Sequence, residues 1–227
     1  MQDKPELKID WASHDAAKHA CENWHYSKCL PVGKLVKVGV WEDEKFIGVV
    51  LFSRGASKQL GTAYDLSQTE CCELTRVALT KHQSPVSRIL TIAIKFLKKN
   101  NPGILLVISF ADKTQGHHGG IYQAGNWIYT GRSASTIEYF LENRWQHVRN
   151  SHSKKTDKTP SRRKEGKHRY LKPLDKKMSA KIAPLAKPYP KRLDMRIKKQ
   201  DSENPSELGG AVPTDTLHSL QQGENHA

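Results

Sequence analysis

The chain has 227 residues, with 37 Lys and Arg against 23 Asp and Glu, a formal net charge of +14 and 37% hydrophobic residues. That length accommodates one packed domain with accessory segments, and the basic balance points to a polyanionic partner while saying nothing of fold. No run approaches the ~18–20 apolar residues of a membrane span, and the first residues are too polar for a secretory signal, which excludes a membrane partner and predicts a soluble, intracellular protein.

The charge is unevenly placed. Residues 151–200 contribute +14 and residues 1–150 contribute +5, whereas residues 201–227 hold five acids and no Lys or Arg. This predicts an α/β catalytic-sized domain over 1–150, a basic nucleic-acid-binding extension over 151–193 that packs partly on it, and a disordered tail over 194–227. Cys21, Cys29, Cys71 and Cys72 lack paired C-x-x-C spacing and read as free thiols.

In chain order, Ser13 is a candidate N-cap for a helix through HDAAKHACENWHY that ends near Tyr26. LVKVGVW, the acidic turn Glu42-Asp43-Glu44-Lys45 and FIGVVLFSRG form a β-hairpin pattern. Residues 56–69 read as a surface loop and a candidate substrate-facing element. CELTRVAL alternates like a strand, and after Ser84-Pro85 the apolar residues from Val86 to Leu97 have helical spacing. ILLVISFAD is a continuous apolar run, as in a strand buried on both faces. Residues 119–126 suggest a short helix, and WIYTGR, TIEYFLEN and RWQHVRN two or three further strands. Residues 151–172 are so polar that little core is expected from them.

Several side chains carry chemistry. Tyr26, at the end of the first helix, can give or accept a hydrogen bond; the alternative is a half-buried aromatic with a wet tip. His25 is a candidate general base near neutral pH. Scattered His and Cys (Cys21, Cys29, His117, His118) show no recognised ligand spacing, so no metal site is assigned. Arg76 suits a phosphate or an acyl oxygen, or a structural ion pair; three residues from Glu73 on a strand, it is expected on the opposite face. Asp112 follows the buried strand at its carboxyl end, where ligands bind in open α/β sheets; capping is its structural alternative. Ser109, a hydroxyl in an apolar strand, reads as support. Lys154, Lys155, Arg162, Arg163, Lys164, Lys167 and Arg169 form a run suited to phosphates.

The element order is similar to the GNAT acyltransferase fold, a mixed, mostly antiparallel sheet flanked by helices. More specifically, Trp24-His25-Tyr26-Ser27, Glu73-Leu74-Thr75-Arg76, Ser109-Phe110-Ala111-Asp112, the stretch from Gly119 to Trp127 and Lys167-His168-Arg169-Tyr170 resemble the Mom family of Mu-like bacteriophages over residues 10–192.

That resemblance implies an enzyme of the bacterial host cytoplasm that converts adenine in double-stranded DNA to N6-carbamoylmethyl-adenine and so evades restriction. It implies Tyr122 as the acid for a leaving group and Asp112 as acceptor of the adenine N6 proton. The place of a coenzyme A pyrophosphate loop holds Ser84, Ser87 and Arg88, as donor-binding candidates, without a glycine, which disfavours acetyl-CoA. An acetyl group would leave an amide, whereas the product has a CH2 on nitrogen, so the expected donor is an activated glycine, glycyl-tRNA. An acetyl-CoA-dependent N-acetyltransferase and a non-catalytic DNA-binding protein on the same scaffold are the alternatives.

Overall fold

The computed structural model describes residues 4–147 and 156–191, and all that follows concerns these. The main sheet has seven strands: β1 (Leu7–Trp11), β2 (Leu35–Glu42), β3 (Lys45–Ser53), β4 (Cys71–Leu79), β5 (Leu106–Ala111), β6 (Ile128–Arg132) and β10 (His168–Pro173). Their spatial order is β1-β2-β3-β4-β5-β10-β6. Every neighbouring pair is antiparallel except β4 with β5. Strands β7 (Thr136–Leu141), β8 (Arg144–His147) and β9 (Ser161–Lys164) make a second sheet in the order β8-β7-β9.

Helix α1 (His14–Trp24) starts as expected, with the Ser13 hydroxyl accepting from the Ala16 N–H at 3.1 Å. Helix α2 (Val86–Asn100) is the crossover that a parallel β4–β5 pair requires. Alternation along β3 divides the core between the two faces. Val50 and Phe52 meet Ile89, Leu90 and Leu97 of α2, while Val49 and Leu51 meet Ala17, Ala20 and Cys21 of α1. A third cluster joins Leu106 and Ile108 of β5 to Met178 and Ile182 of a last helix, α4 (Lys176–Ile182). The short α3 (Gly120–Gln123) follows β5.

The hairpin turns through Asp43 and Glu44, both at positive φ, the two-residue geometry that matches strand twist. Three expectations need correction. Strand β1 is unannounced in the sequence reading. Residues 56–69 do not face the large cleft described below: Leu60, Tyr64 and Leu66 pack on the β5–α4 cluster, with Tyr64 5% exposed.

The third correction concerns the boundary at residue 150. Residues 168–173 form a strand inside the sheet, hydrogen-bonded to β5 on one side and β6 on the other. Tyr170 and Leu171, both fully buried, enter the two cores on opposite faces. Only two apolar side chains were needed, because an interior strand gains its burial from its neighbours; the surrounding lysines and arginines masked it. Met1–Arg192 is one compact unit, and the tail expected over 194–227 lies outside the described residues.

Candidate active site

The parallel pairing of β4 and β5 covers Cys71 to Leu74 against Leu106 to Ser109. At that point β4 bulges: Leu51 pairs with Arg76 and Phe52 with Leu74, leaving Thr75 as the extra residue. Beyond it, Leu74 to Val77 of β4 and Phe110 and Ala111 of β5 line a cleft of about 540 Å³, within the range of small-ligand sites. Trp24, His25 and Tyr26 from the end of α1 close one side, and residues 116–122 close the other.

Because of the bulge, simple alternation does not run from Glu73 to Arg76, and the expectation of opposite faces fails. The two sense each other's charge: burial raises Glu73 above the ordinary carboxylate value, with Lys167 and Arg76 opposing. Arg76 Nη1 donates to the Thr75 carbonyl at 2.9 Å, while its Nε–H is buried without a partner. Among the described residues Arg76 forms no ion pair at salt-bridge distance. A buried guanidinium N–H left without an acceptor is a costly arrangement, and Arg76 is at the same time part of the cleft lining.

His25 is 8% exposed. The Ser27 backbone N–H donates to its Nδ1 at 3.1 Å, and the Ser27 hydroxyl lies 2.7 Å from the same nitrogen. An amide N–H can only donate, so Nδ1 is the bare nitrogen and the proton sits on Nε2. Burial, assisted by repulsion from Arg76 and His117, pushes the imidazole down to about 4. His25 is thus a neutral donor rather than the expected general base, because its basic nitrogen is already engaged. Tyr26, 48% exposed, stacks near His25 at 4.2 Å and meets His117 edge-on at 5.3 Å; it stands at the mouth of the cleft.

Tyr122 lies deeper. Its hydroxyl is 2.8 Å from the Ser109 hydroxyl, which lies 3.0 Å from the Leu74 carbonyl. The carbonyl only accepts, so Ser109 holds one proton between two acceptors and can turn it to Tyr122 whenever the phenol gives its own away. Burial pushes Tyr122 up to about 12, which keeps it protonated at neutral pH.

The structure does not bring Asp112 into this cleft. Its carboxylate caps the 3-10 turn Lys113–Gln115, accepting from the Thr114 N–H at 3.0 Å and the Thr114 hydroxyl at 2.6 Å, and pairs with Lys167 at 3.3 Å. Burial raises it, but Thr114 and Lys167 outweigh that and hold it below its ordinary value. It faces a neighbouring cleft lined by Arg162, Arg163, Lys164 and Glu165.

Ser84, Ser87 and Arg88 also lie outside the cleft, at the start of α2. Glu42, 7% exposed, reaches across from β2, and its carboxylate accepts from the Gln83 and Ser84 N–H groups, each at 2.8 Å. Burial would raise Glu42, yet those two donors and His82 hold it below the ordinary value. Arg88 is turned to the Pro5 carbonyl at 3.2 Å. A pyrophosphate aimed at this helix start would meet an internal anion, so these residues do not fit coenzyme A. Nothing in the sequence pattern around α2 points to Glu42, which lies 41 positions before Gln83.

The basic run divides. Lys154 and Lys155 lie outside the described residues. Arg162 and Lys164 grip Glu138 at 2.7 and 3.0 Å, Arg163 Nε donates to the Ser135 hydroxyl, and Arg169 Nε to the Thr130 hydroxyl. Among the described residues no three His, Cys, Asp or Glu side chains gather as an ion would need, and no helix is long and apolar enough to cross a membrane.

Gly119 shapes the far wall. It has φ +86°, and a Cβ there would sit 2.3–2.4 Å from ring carbons of Tyr170 and 2.5 Å from its hydroxyl, which donates to the His118 carbonyl. The late strand β10 therefore fixes the loop carrying His117 and His118.

Solved structures with a similar outline include aminoglycoside acetyltransferase AAC(6')-Ib in complex with coenzyme A, at TM-score 0.47 and 8% identity over 74% of this chain and 95% of that one. Another is an acetyltransferase described as putative, from Acinetobacter baylyi ADP1, at TM-score 0.43 and 12% identity over 84% of this chain and all of that one. In sequence, the chain is 27% identical over 146 residues to the methylcarbamoylase mom of Escherichia phage Mu, a match that takes in 63% of this chain and 60% of that relative's length. The Mom protein family matches residues 6–191, the span of the seven-stranded sheet with its cleft, and on that match the chain belongs to the Mom protein family.

Proposed function

We propose that this chain is an acyl-transfer enzyme that places a glycyl group on N6 of an adenine in double-stranded DNA and rearranges it to N6-carbamoylmethyl-adenine, protecting phage DNA from restriction. The observation that carries the reading is that Arg76, without an ion-pair partner among the described residues, lines the same cleft as a buried, hydrogen-bonded phenol, Tyr122. That pairing suits a reaction in which negative charge grows on one oxygen while a second oxygen departs.

In this reading the adenine is extruded from the duplex, at a cost of about a few kcal/mol, and stacks on Tyr26 at the cleft mouth. N6 attacks the ester carbonyl of glycyl-tRNA, and Arg76 and the His25 Nε2–H meet the oxyanion. The ribose oxygen leaves with the Tyr122 proton, Ser109 turns its hydroxyl to the phenolate, and the proton lost from N6 restores Tyr122. The free glycine amine then attacks C6 through a five-membered ring; the C6–N6 bond breaks, a proton passes to N6, and the terminal carboxamide results. No step uses coenzyme A, whose place Glu42 fills, and none uses Asp112.

The test is mass spectrometry of nucleosides from plasmid DNA after expression in bacteria. The expected result is a deoxyadenosine heavier by a carbamoylmethyl group, reduced about 10²-fold or more by Tyr122→Phe and by Arg76→Ala. Unmodified DNA from soluble protein would overturn the reading. Retention of a 15N label from adenine N6 at C6 would overturn the rearrangement.

A further inference from the structure

The small sheet β8-β7-β9 stands outside the main sheet and takes no part in the chemistry above. Residues paired across antiparallel strands share a face, so Phe140 and Trp145 lie together, as do Glu138 with Arg162 and Thr136 with Lys164. Two of these positions are large aromatics left 39% and 37% exposed, their rings 5.3 Å apart. The Arg162 guanidinium lies 4.3 Å over Trp145. It is held there by Glu138, 7% exposed, which takes Arg162 Nε and Nη2 at 3.0 and 2.7 Å and Lys164 Nζ at 3.0 Å. Two cations on one carboxylate leave a net positive charge beside the aromatic pair.

This face is tied to the active cleft. Lys113 and Glu165 at 3.4 Å, with Asp112 and Lys167 at 3.3 Å, join the end of β9 to the 3-10 turn whose chain continues into Gly116, His117 and His118 of the cleft wall. Residues 144–169 carry ten Lys and Arg against two acids. Flat apolar rings with a stacked guanidinium, in so basic a stretch, match a polyanion that also offers flat π faces, which is a nucleic acid.

Resting on the functional reading above, we infer that the β7–β8–β9 sheet is the surface that engages duplex DNA beside the target adenine, with Phe140 and Trp145 abutting the base step that opens when the adenine leaves the stack. The sheet supplies the stacking partner, and Arg162 and Lys164 approach the flanking phosphates.

The experiment is fluorescence anisotropy of the full chain with a short labelled duplex, beside the nucleoside assay. Trp145→Ala is expected to weaken duplex binding about tenfold without changing the slope of log affinity against log salt, because the lost contact is not ionic. Trp145→Phe should keep most of the affinity, and Ile137→Ala, on the opposite face, all of it; equal melting temperatures establish that the variants fold. A Trp145→Ala protein that binds duplex as tightly as wild type overturns this inference and leaves the functional reading standing. A loss confined to tRNA would assign the sheet to the donor and overturn it too. Wild-type protein that neither binds nor modifies duplex removes the functional reading itself.

Discussion

His25 and Ser27 sit two positions apart, and their hydrogen bond decides which nitrogen of the imidazole carries the proton. An Asn side chain can replace the accepting Nδ1 and a Gln side chain the donating Nε2. His25→Gln is therefore expected to retain more activity than His25→Asn in the nucleoside assay; the reverse order would mean that the Ser27 bond, and not the Nε2–H, is what matters. The same residue makes a stability prediction. Its folded value of about 4 lies below the ~6.5 of an unfolded histidine, so the unfolded chain takes up the proton first on acidification. The contribution of neutral His25 is whole above about pH 6.5 and declines toward pH 4, by about 3 kcal/mol. Denaturant melts at the two ends of that window should show a smaller loss for His25→Gln than for wild type, with His168, shifted downward by its burial, present in both. Equal losses would show that the folded chain protonates His25 freely.

At the scale of single elements, the turn after β5 separates two readings that sequence leaves open. Asp112 looks catalytic from its place at the end of a buried strand, but the side chain spends its acceptors on Thr114 and Lys167. Asp112→Ala is expected to cost about 1 kcal/mol of stability, as lost caps do, and to leave the nucleoside product detectable. Complete loss of product from a folded Asp112→Ala protein would return the residue to the chemistry. Seven positions on, Gly119→Ala should be the harsher change, about 2–4 kcal/mol in the same melts, because it combines a left-handed backbone with a collision against the Tyr170 ring. At the start of α2, saturating coenzyme A is expected to leave the melting temperature unchanged, whereas a ligand bound to the folded state alone would raise it; a rise would show that Glu42 yields its place to phosphate. The sequence announced these elements well where periodicity was strong, as in the hairpin, α1 and α2. It could not announce the Thr75 bulge, which reverses the facing of Arg76, because a bulge is a mismatch between two strands and has no signature in one of them.

Across the whole molecule, the composition break near residue 150 suggested a domain edge, and the fold ignores it. Charge density reports where solvent and partners are met, whereas an interior strand is defined by what lies on either side of it, and β10 needs only Tyr170 and Leu171 to belong there. Short β1 goes unannounced for a related reason: its five residues are mostly exposed or half-exposed, and they gain their place from pairing with β2 and from the packing of Leu7, Ile9 and Trp11 against the core and α2. A chain ending at residue 150 is thus expected to lack cooperative unfolding by circular dichroism, while one ending at residue 191 melts as a single transition; a folded 1–150 fragment would show that β5 and β6 can close on each other directly.

The position of β10 also orders events in time. During synthesis β5 emerges with one edge unpaired, and it must wait for more than fifty residues before the strand that covers that edge exists. Pairings so distant in sequence form slowly and leave an apolar edge open to other chains meanwhile. The last partner to arrive is also the one whose Tyr170 hydroxyl fixes the His118 loop. Assembly of the cleft and completion of the fold are therefore one event, and a nascent chain short of residue 173 lacks the wall that finishes the cleft.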